Sequence, residues 1–177
     1  PLGYDLFEGN TFEGKTLLPV LERIQREHGV GRPVVVADAA MLSRDNLDRL
    51  EKAQYPFIVA ARLRNESRDM QEEILRRCGG LADGQSVTIE RGAGRRLIVA
   101  YSARRARKDA HNRERGLKRL RKRLGTGRMT KEHLNNRGYN KLLKLTGNVT
   151  VEIDEEKIEQ AARWDGLKGY LTNTALP

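Results

Sequence analysis

Pro33-Val34-Val35-Val36-Ala37-Asp38-Ala39-Ala40-Met41-Leu42-Ser43 is the stretch on which the fold turns. A short run of apolar, β-branched residues reads as a strand buried on both faces, and this one runs into a carboxylate with a helix start close behind. In open α/β sheets, chemistry sits beyond the carboxyl ends of such strands. Asp38 therefore stands where a catalytic or metal-binding acid stands, and Mg²⁺, a hard cation that takes oxygen ligands, is the metal to expect. The residues equally allow a plainer role, in which Asp38 caps the next helix or bonds to the loop after the strand.

On the N-terminal side of that strand, Leu17, Leu18, Leu21 and Ile24 share one helical face. Thr16 suits the N-cap, which puts Pro19 in the first turn, and Gly29 ends the helix. On the other side Ser43 opens a helix with Leu47 and Leu50 facing inward, and Pro56-Phe57-Ile58-Val59-Ala60-Ala61 reads as a second buried strand. Strand, helix, strand with short connections is a βαβ unit, which predicts a parallel pair with a right-handed crossover.

Beyond Arg62 the character changes. Arg68–Cys78 reads as a helix, and Ser86–Glu90 and Arg95–Tyr101 as a hairpin around Gly92-Ala93-Gly94. A long basic helix runs from about Arg105 to Leu124, and Thr126–Asn140 reads as a flexible loop. Val149–Ile153 alternates like a strand, Glu155–Arg163 forms a short amphipathic helix, and Gly169–Thr174 is extended. There is no internal repeat.

The chain has 177 residues, with 34 Lys and Arg against 24 Asp and Glu, a net charge of +10. Such a balance favours polyanions, because each neutralised phosphate releases condensed counterions. The single cysteine, Cys78, excludes an internal disulfide and has no Cys or His at metal-ligand spacing, so a reducing, cytoplasmic setting is expected. No apolar run approaches the ~20 residues of a membrane span, and the first residues lack the features of a signal peptide. Phosphate-loop and dinucleotide fingerprints are missing, and His28, His111 and His133 lie scattered among polar residues. The opening on Pro1 and the close on Ala175-Leu176-Pro177 read as the bounds of a segment from a longer protein.

Between Arg104 and Arg123 stand 11 Lys or Arg and only two acids, Asp109 and Glu114. Ala106, Ala110, Leu117, Leu120 and Leu124 mark one packed face of this helix, and the cations cover the rest. With so few acids at i,i+4 spacing, the self-repulsion goes uncompensated within the helix. Either the acidic stretch Glu152–Glu159 neutralises it or a phosphate backbone does. Few aromatics are available for stacking on single strands, so duplex DNA is the natural polyanion. The candidate contacts are Arg104, Arg105, Lys108, Arg113, Lys118, Arg119, Arg121 and Lys122. A non-enzymatic RNA- or ribosome-associated module on a βαβ scaffold shares the charge and has no use for Asp38.

Several blocks together resemble bacterial insertion-sequence transposases of the DDE type. They are PLGYDLFEGN (Pro1–Asn10), Thr16-Leu17-Leu18-Pro19-Val20-Leu21, Val34–Ser43 with Asn46-Leu47, and Phe57–Arg62. Tyr101-Ser102, Arg105-Ala106-Arg107-Lys108-Asp109, Asp165-Gly166 and Thr172-Asn173-Thr174 extend the likeness over nearly the whole chain. The resemblance implies an α/β fold, part of a ribonuclease H-like core (βαβ unit, parallel strands) with an inserted α+β subdomain. It implies residues 1–62 as core, 63–165 as the insertion with hairpin and basic helix, and 166–177 as a return strand. It further implies DNA cutting and joining at insertion-sequence ends by two Mg²⁺ (or Mn²⁺) ions bound to three acids. The partners implied are transposon ends and target DNA, with a homodimer allowed in the synaptic complex.

Asp38 matches the second of those acids. The first lies in the family on a strand preceding the part that matches Pro1, and the glutamate on a helix beyond Pro177, within a Tyr, Arg, Glu, Lys signature that neither Glu8 nor Glu159 reproduces. One carboxylate holds Mg²⁺ weakly, so this chain alone is expected neither to nick nor to join DNA.

Overall fold

The computed structural model describes residues 4, 6–8, 13–39, 43–127, 130–147 and 150–175. These residues form two compact units, one of residues 1–78, 86–100 and 168–177, the other of residues 79–85 and 101–167. Most of the PLGYDLFEGN block, Ala40-Met41-Leu42 and Val149 lie outside the described residues.

In chain order the helices are α1 (Glu13–His28), α2 (Arg44–Lys52), α3 (Arg68–Cys78), α4 (Ala103–Gly125) and α5 (Glu155–Ala162). The strands are β1 (Val35–Ala37), β2 (Phe57–Ala61), β3 (Ser86–Glu90), β4 (Arg96–Tyr101), β5 (Leu143–Thr146), β6 (Thr150–Ile153) and β7 (Leu167–Thr172).

The first unit is built on a mixed sheet of order β1-β2-β7-β4-β3. β1 and β2 run parallel with α2 between them, as the βαβ pattern predicts, whereas β7 returns antiparallel to β2. Val35, Phe57 and Val59 turn one face of this sheet toward Leu17, Leu18 and Leu21 of α1 and Leu47 and Leu50 of α2. Phe57 is fully buried there, a burial worth roughly 2–3 kcal/mol. The end of β7 is tied to the start of β2 by polar contacts: Phe57 N donates to Asn173 Oδ1 at 2.8 Å and the Thr172 hydroxyl to the Phe57 carbonyl at 2.6 Å.

Three expectations need correction. β1 is not buried on both faces: it is a three-residue strand at the end of the described sheet, and Val36 is 75% exposed. An apolar run reports local β preference and carries no information about how many neighbours the strand will have. Helix α1 begins by Glu13, so Thr16 is not its N-cap and Pro19 lies in its interior. The hairpin β3–β4 lies in the main sheet, beyond β7. The expected loop 126–140 contains two single 3₁₀ turns, Lys131–His133 and Gly138–Leu142, and leads into β5, a strand that its mixed sequence Leu143-Lys144-Leu145-Thr146 hardly signals.

In the second unit Leu117 and Leu120 of α4 pack on Leu142, Leu143 and Val151. β5 and β6 pair as an antiparallel ribbon, and Asp154 caps α5 through the backbone N–H of Lys157. Gly116 sits where α4 approaches the Tyr139 ring, whose hydroxyl donates to the Asn112 carbonyl at 2.6 Å. A Cβ at Gly116 would run into that ring.

Candidate nucleic-acid interface

Asp38 follows the last residue of β1 directly, at the carboxyl end of the parallel pair, and is exposed. The cap of the next helix is Ser43, whose hydroxyl accepts from the backbone N–H of Asn46 at 3.1 Å, so the helix-cap role for Asp38 falls. Among the described residues no three His, Cys, Asp or Glu side chains converge in a way that could hold a metal ion. The donor set around Asp38 therefore does not by itself fit a two-metal centre.

The long helix α4 starts at Ser102, whose hydroxyl accepts from Arg105 N, while the Asp83 carboxylate accepts from Ala103 N at 2.7 Å. Buried Gly116, Leu117 and Leu120 define its inner side. At 100° per residue, Arg104, Lys108, Arg115, Arg119 and Lys122 fall within about 60° of arc opposite that side, along about 27 Å of axis. All five are exposed, and none of them has an ion-pair partner among the described residues. Lys118 is exposed beside this stripe.

The other candidates are placed differently. Arg105 lies 3.5 Å from half-buried Asp109, and Arg121 3.3 Å from Glu114 in an exposed pair, both cations on the flanks of the helix. Arg113 turns inward: its Nη1 sits 2.5 and 2.6 Å from the two carboxylate oxygens of Asp165, with the side chains only 17% and 15% exposed. Its charge is committed within the unit. Asp109, the second acid of the helix, also accepts from Gly166 N at 3.2 Å. Arg115, at the centre of the stripe, was missing from the candidate set although the helical spacing from Arg104, Lys108 and Arg119 contains it.

The acidic stretch 152–159 does not neutralise α4. Among the described residues its ion pairs are Glu152 with Lys144 and Asp154 with Lys157, both outside the helix. Burial raises the Asp154 carboxyl, yet the hydrogen bonds and charge of Lys157 outweigh this and hold it below the ordinary aspartate value. No helix among the described residues is long and apolar enough to cross a membrane. Cys78 is buried at the end of α3, where burial pushes its thiol up, as suits packing rather than nucleophilic attack.

An α/β unit with an acid at the carboxyl rim of its parallel strands, and a long helix with a one-sided row of cations, is the background for the comparison with known proteins. Residues 1–164 match the family described as "Transposase DDE domain", and the chain belongs to that family. Neither the curated proteins nor the solved structures yield a match. The mixed sheet is compatible with a ribonuclease H-like fold, and family membership removes the ground for a ribosome-associated module.

Proposed function

We propose that this chain is the part of a DNA transposase that carries one catalytic carboxylate, Asp38, and grips duplex DNA through the outer face of α4. The supporting observation is the stripe Arg104, Lys108, Arg115, Arg119 and Lys122, whose charges have no acidic partner among the described residues. A row about 27 Å long matches roughly eight base pairs of axial rise, and side chains at i,i+4 are about 6 Å apart, near the spacing of successive phosphates. Arg105, Lys118 and Arg121 flank the row as secondary contacts, and Arg113 is left out because Asp165 holds it.

The substrate proposed is double-stranded DNA at insertion-sequence ends and at the target, in the cytoplasm, with two protomers in the synaptic complex. Asp38 would be one ligand of the divalent metal ions that, once further acids complete the site, would activate the attacking oxygen and stabilise the leaving one. With no group of three potential metal-ligating side chains among the described residues, the 177-residue chain alone is proposed neither to nick nor to join DNA.

Salt titration of duplex binding tests the grip. Five phosphate contacts give a slope of log K against log salt of about −4.5, and Arg115→Gln with Arg119→Gln lowers its size by about 2. A flat response refutes the DNA role of α4. In a complete transposase Asp38→Asn is expected to abolish strand transfer with DNA binding kept. Mg²⁺-dependent nicking by this chain alone would refute the proposed incompleteness of its site.

A further inference from the structure

The sheet of the first unit uses one face for the core beneath α1 and α2, and the other face ends at the Asp38 rim. Val35, Phe57, Val59 and Leu171 belong to the core side. Because side chains alternate along a strand, the residues between them belong to the opposite side. Val36 pairs with Ile58, and Ile58 and Ala60 pair with Thr172 and Tyr170.

The last paired positions toward the rim are Ala37 with Val59 and Ala61 with Gly169. Asp38 follows Ala37 at the end of β1, Arg62 follows Ala61 at the end of β2, and Lys168 precedes Gly169 on β7, so the three stand next to the last paired positions of one rim. Lys168 shares the side of β7 that carries Tyr170, and its ammonium lies 4.8 Å from the centre of the Tyr170 ring. All three residues at the rim are exposed.

Arg62 is pinned from behind. The next residue, Leu63, is buried, and its side chain packs so closely on Gly169 that a Cβ there would strike it. Neither Arg62 nor Lys168 has an ion-pair partner among the described residues. Like charges on neighbouring strands repel, and an anion between them removes the repulsion. The Lys168 stem is already ordered over an aromatic ring, so less freedom is lost when it binds.

We infer that Arg62 and Lys168 form a phosphate clamp that seats the DNA backbone on the sheet rim beside Asp38. The inference rests on the transposase reading and adds to it a second, separate contact, which positions the phosphodiester at the acid. The α4 stripe supplies affinity; the clamp decides which phosphate faces the carboxylate.

The experiment uses the 177-residue chain with Asp38→Cys carrying a tethered iron chelate that cleaves nearby DNA sugars. The native Cys78 is buried and stays unlabelled. A second tether at His111→Cys, on the exposed side of α4, reports DNA on that helix. Removing both clamp charges, Arg62→Gln with Lys168→Gln, is expected to abolish focused cleavage from position 38 and keep it from position 111. It should also weaken binding roughly 60-fold at ~0.1 M salt and lower the salt slope by about 1.8. The exchange Arg62→Lys with Lys168→Arg keeps the charges and should keep cleavage from position 38.

Unchanged cleavage from position 38 in the double Gln protein overturns the clamp, as does equal loss in the charge-preserving exchange. Cleavage from 111 with none from 38 in the otherwise unaltered chain overturns the clamp alone. Absence of DNA binding altogether overturns the transposase reading of the chain, and the clamp with it.

Discussion

Arg113→Gln is expected to destabilise the second unit while leaving DNA affinity almost unchanged, the reverse of what a cation on the binding face would do. The guanidinium and the Asp165 carboxylate are 17% and 15% exposed and in contact at 2.5 and 2.6 Å. Removing one partner strands the other charge in a poorly hydrated place, which costs about 3–5 kcal/mol for a fully buried pair. The residual exposure puts this case at the low end, about 3 kcal/mol. The sole tryptophan, Trp164, neighbours Asp165 in sequence, so its fluorescence follows urea unfolding of this unit. With m near 1.5 kcal/mol/M the midpoint falls by roughly 2 M. The double replacement Arg113→Met with Asp165→Leu strands no charge and should restore most of the loss. An unchanged midpoint together with a salt slope reduced by about one would refute the reasoning, because it would make Arg113 a phosphate contact.

Three further outcomes follow from single sites. Gly166 has φ +82°, and a Cβ there would lie 2.6 Å from Tyr101 Cε2 and 2.8 Å from the Ser102 carbonyl oxygen, so Gly166→Ala should cost about 3 kcal/mol in the same urea assay. Asp154 has its carboxyl held below the ordinary value, so its capping of α5 is fully present above pH ~4, the unfolded pKa, and is lost as pH falls through the lower native one. Asp154→Asn should therefore lose that acid sensitivity, and the midpoints of the two proteins should draw together at low pH. Buried Cys78, its thiol pushed up, should react with a thiol reagent only on unfolding; fast labelling of the native chain would contradict the packing at the end of α3.

Much of the local structure was legible because it depends on neighbours in sequence. The hairpin β3–β4, the span of α3 and the Ser43 cap of α2 all follow from period and capping chemistry. The apolar stripe of α4 announced a helix, but nothing local told Arg113 from Arg115. One meets Asp165, 52 residues away, and the other lies in the outer row. β5 was missed for the same reason, since its pairing with β6 supplies the order that its own composition does not. Asp38 could be singled out as an acid at the end of a strand, and Ser43, by taking the cap of the next helix, removes one of its plainer roles and leaves the bond to the following loop beside the metal-binding one.

The sequence alone determined the charge excess, its concentration in one helix and the βαβ unit, because composition and periodicity are properties of the chain itself, and its residue blocks carried the resemblance to a transposase domain. Only the tertiary structure decided which cations remain available and which are neutralised, and that β7 returns beside β2 with Ala61 level with Gly169. Both depend on strands and side chains brought together from more than 50 residues apart, and pairings at that range leave no periodic trace in the chain.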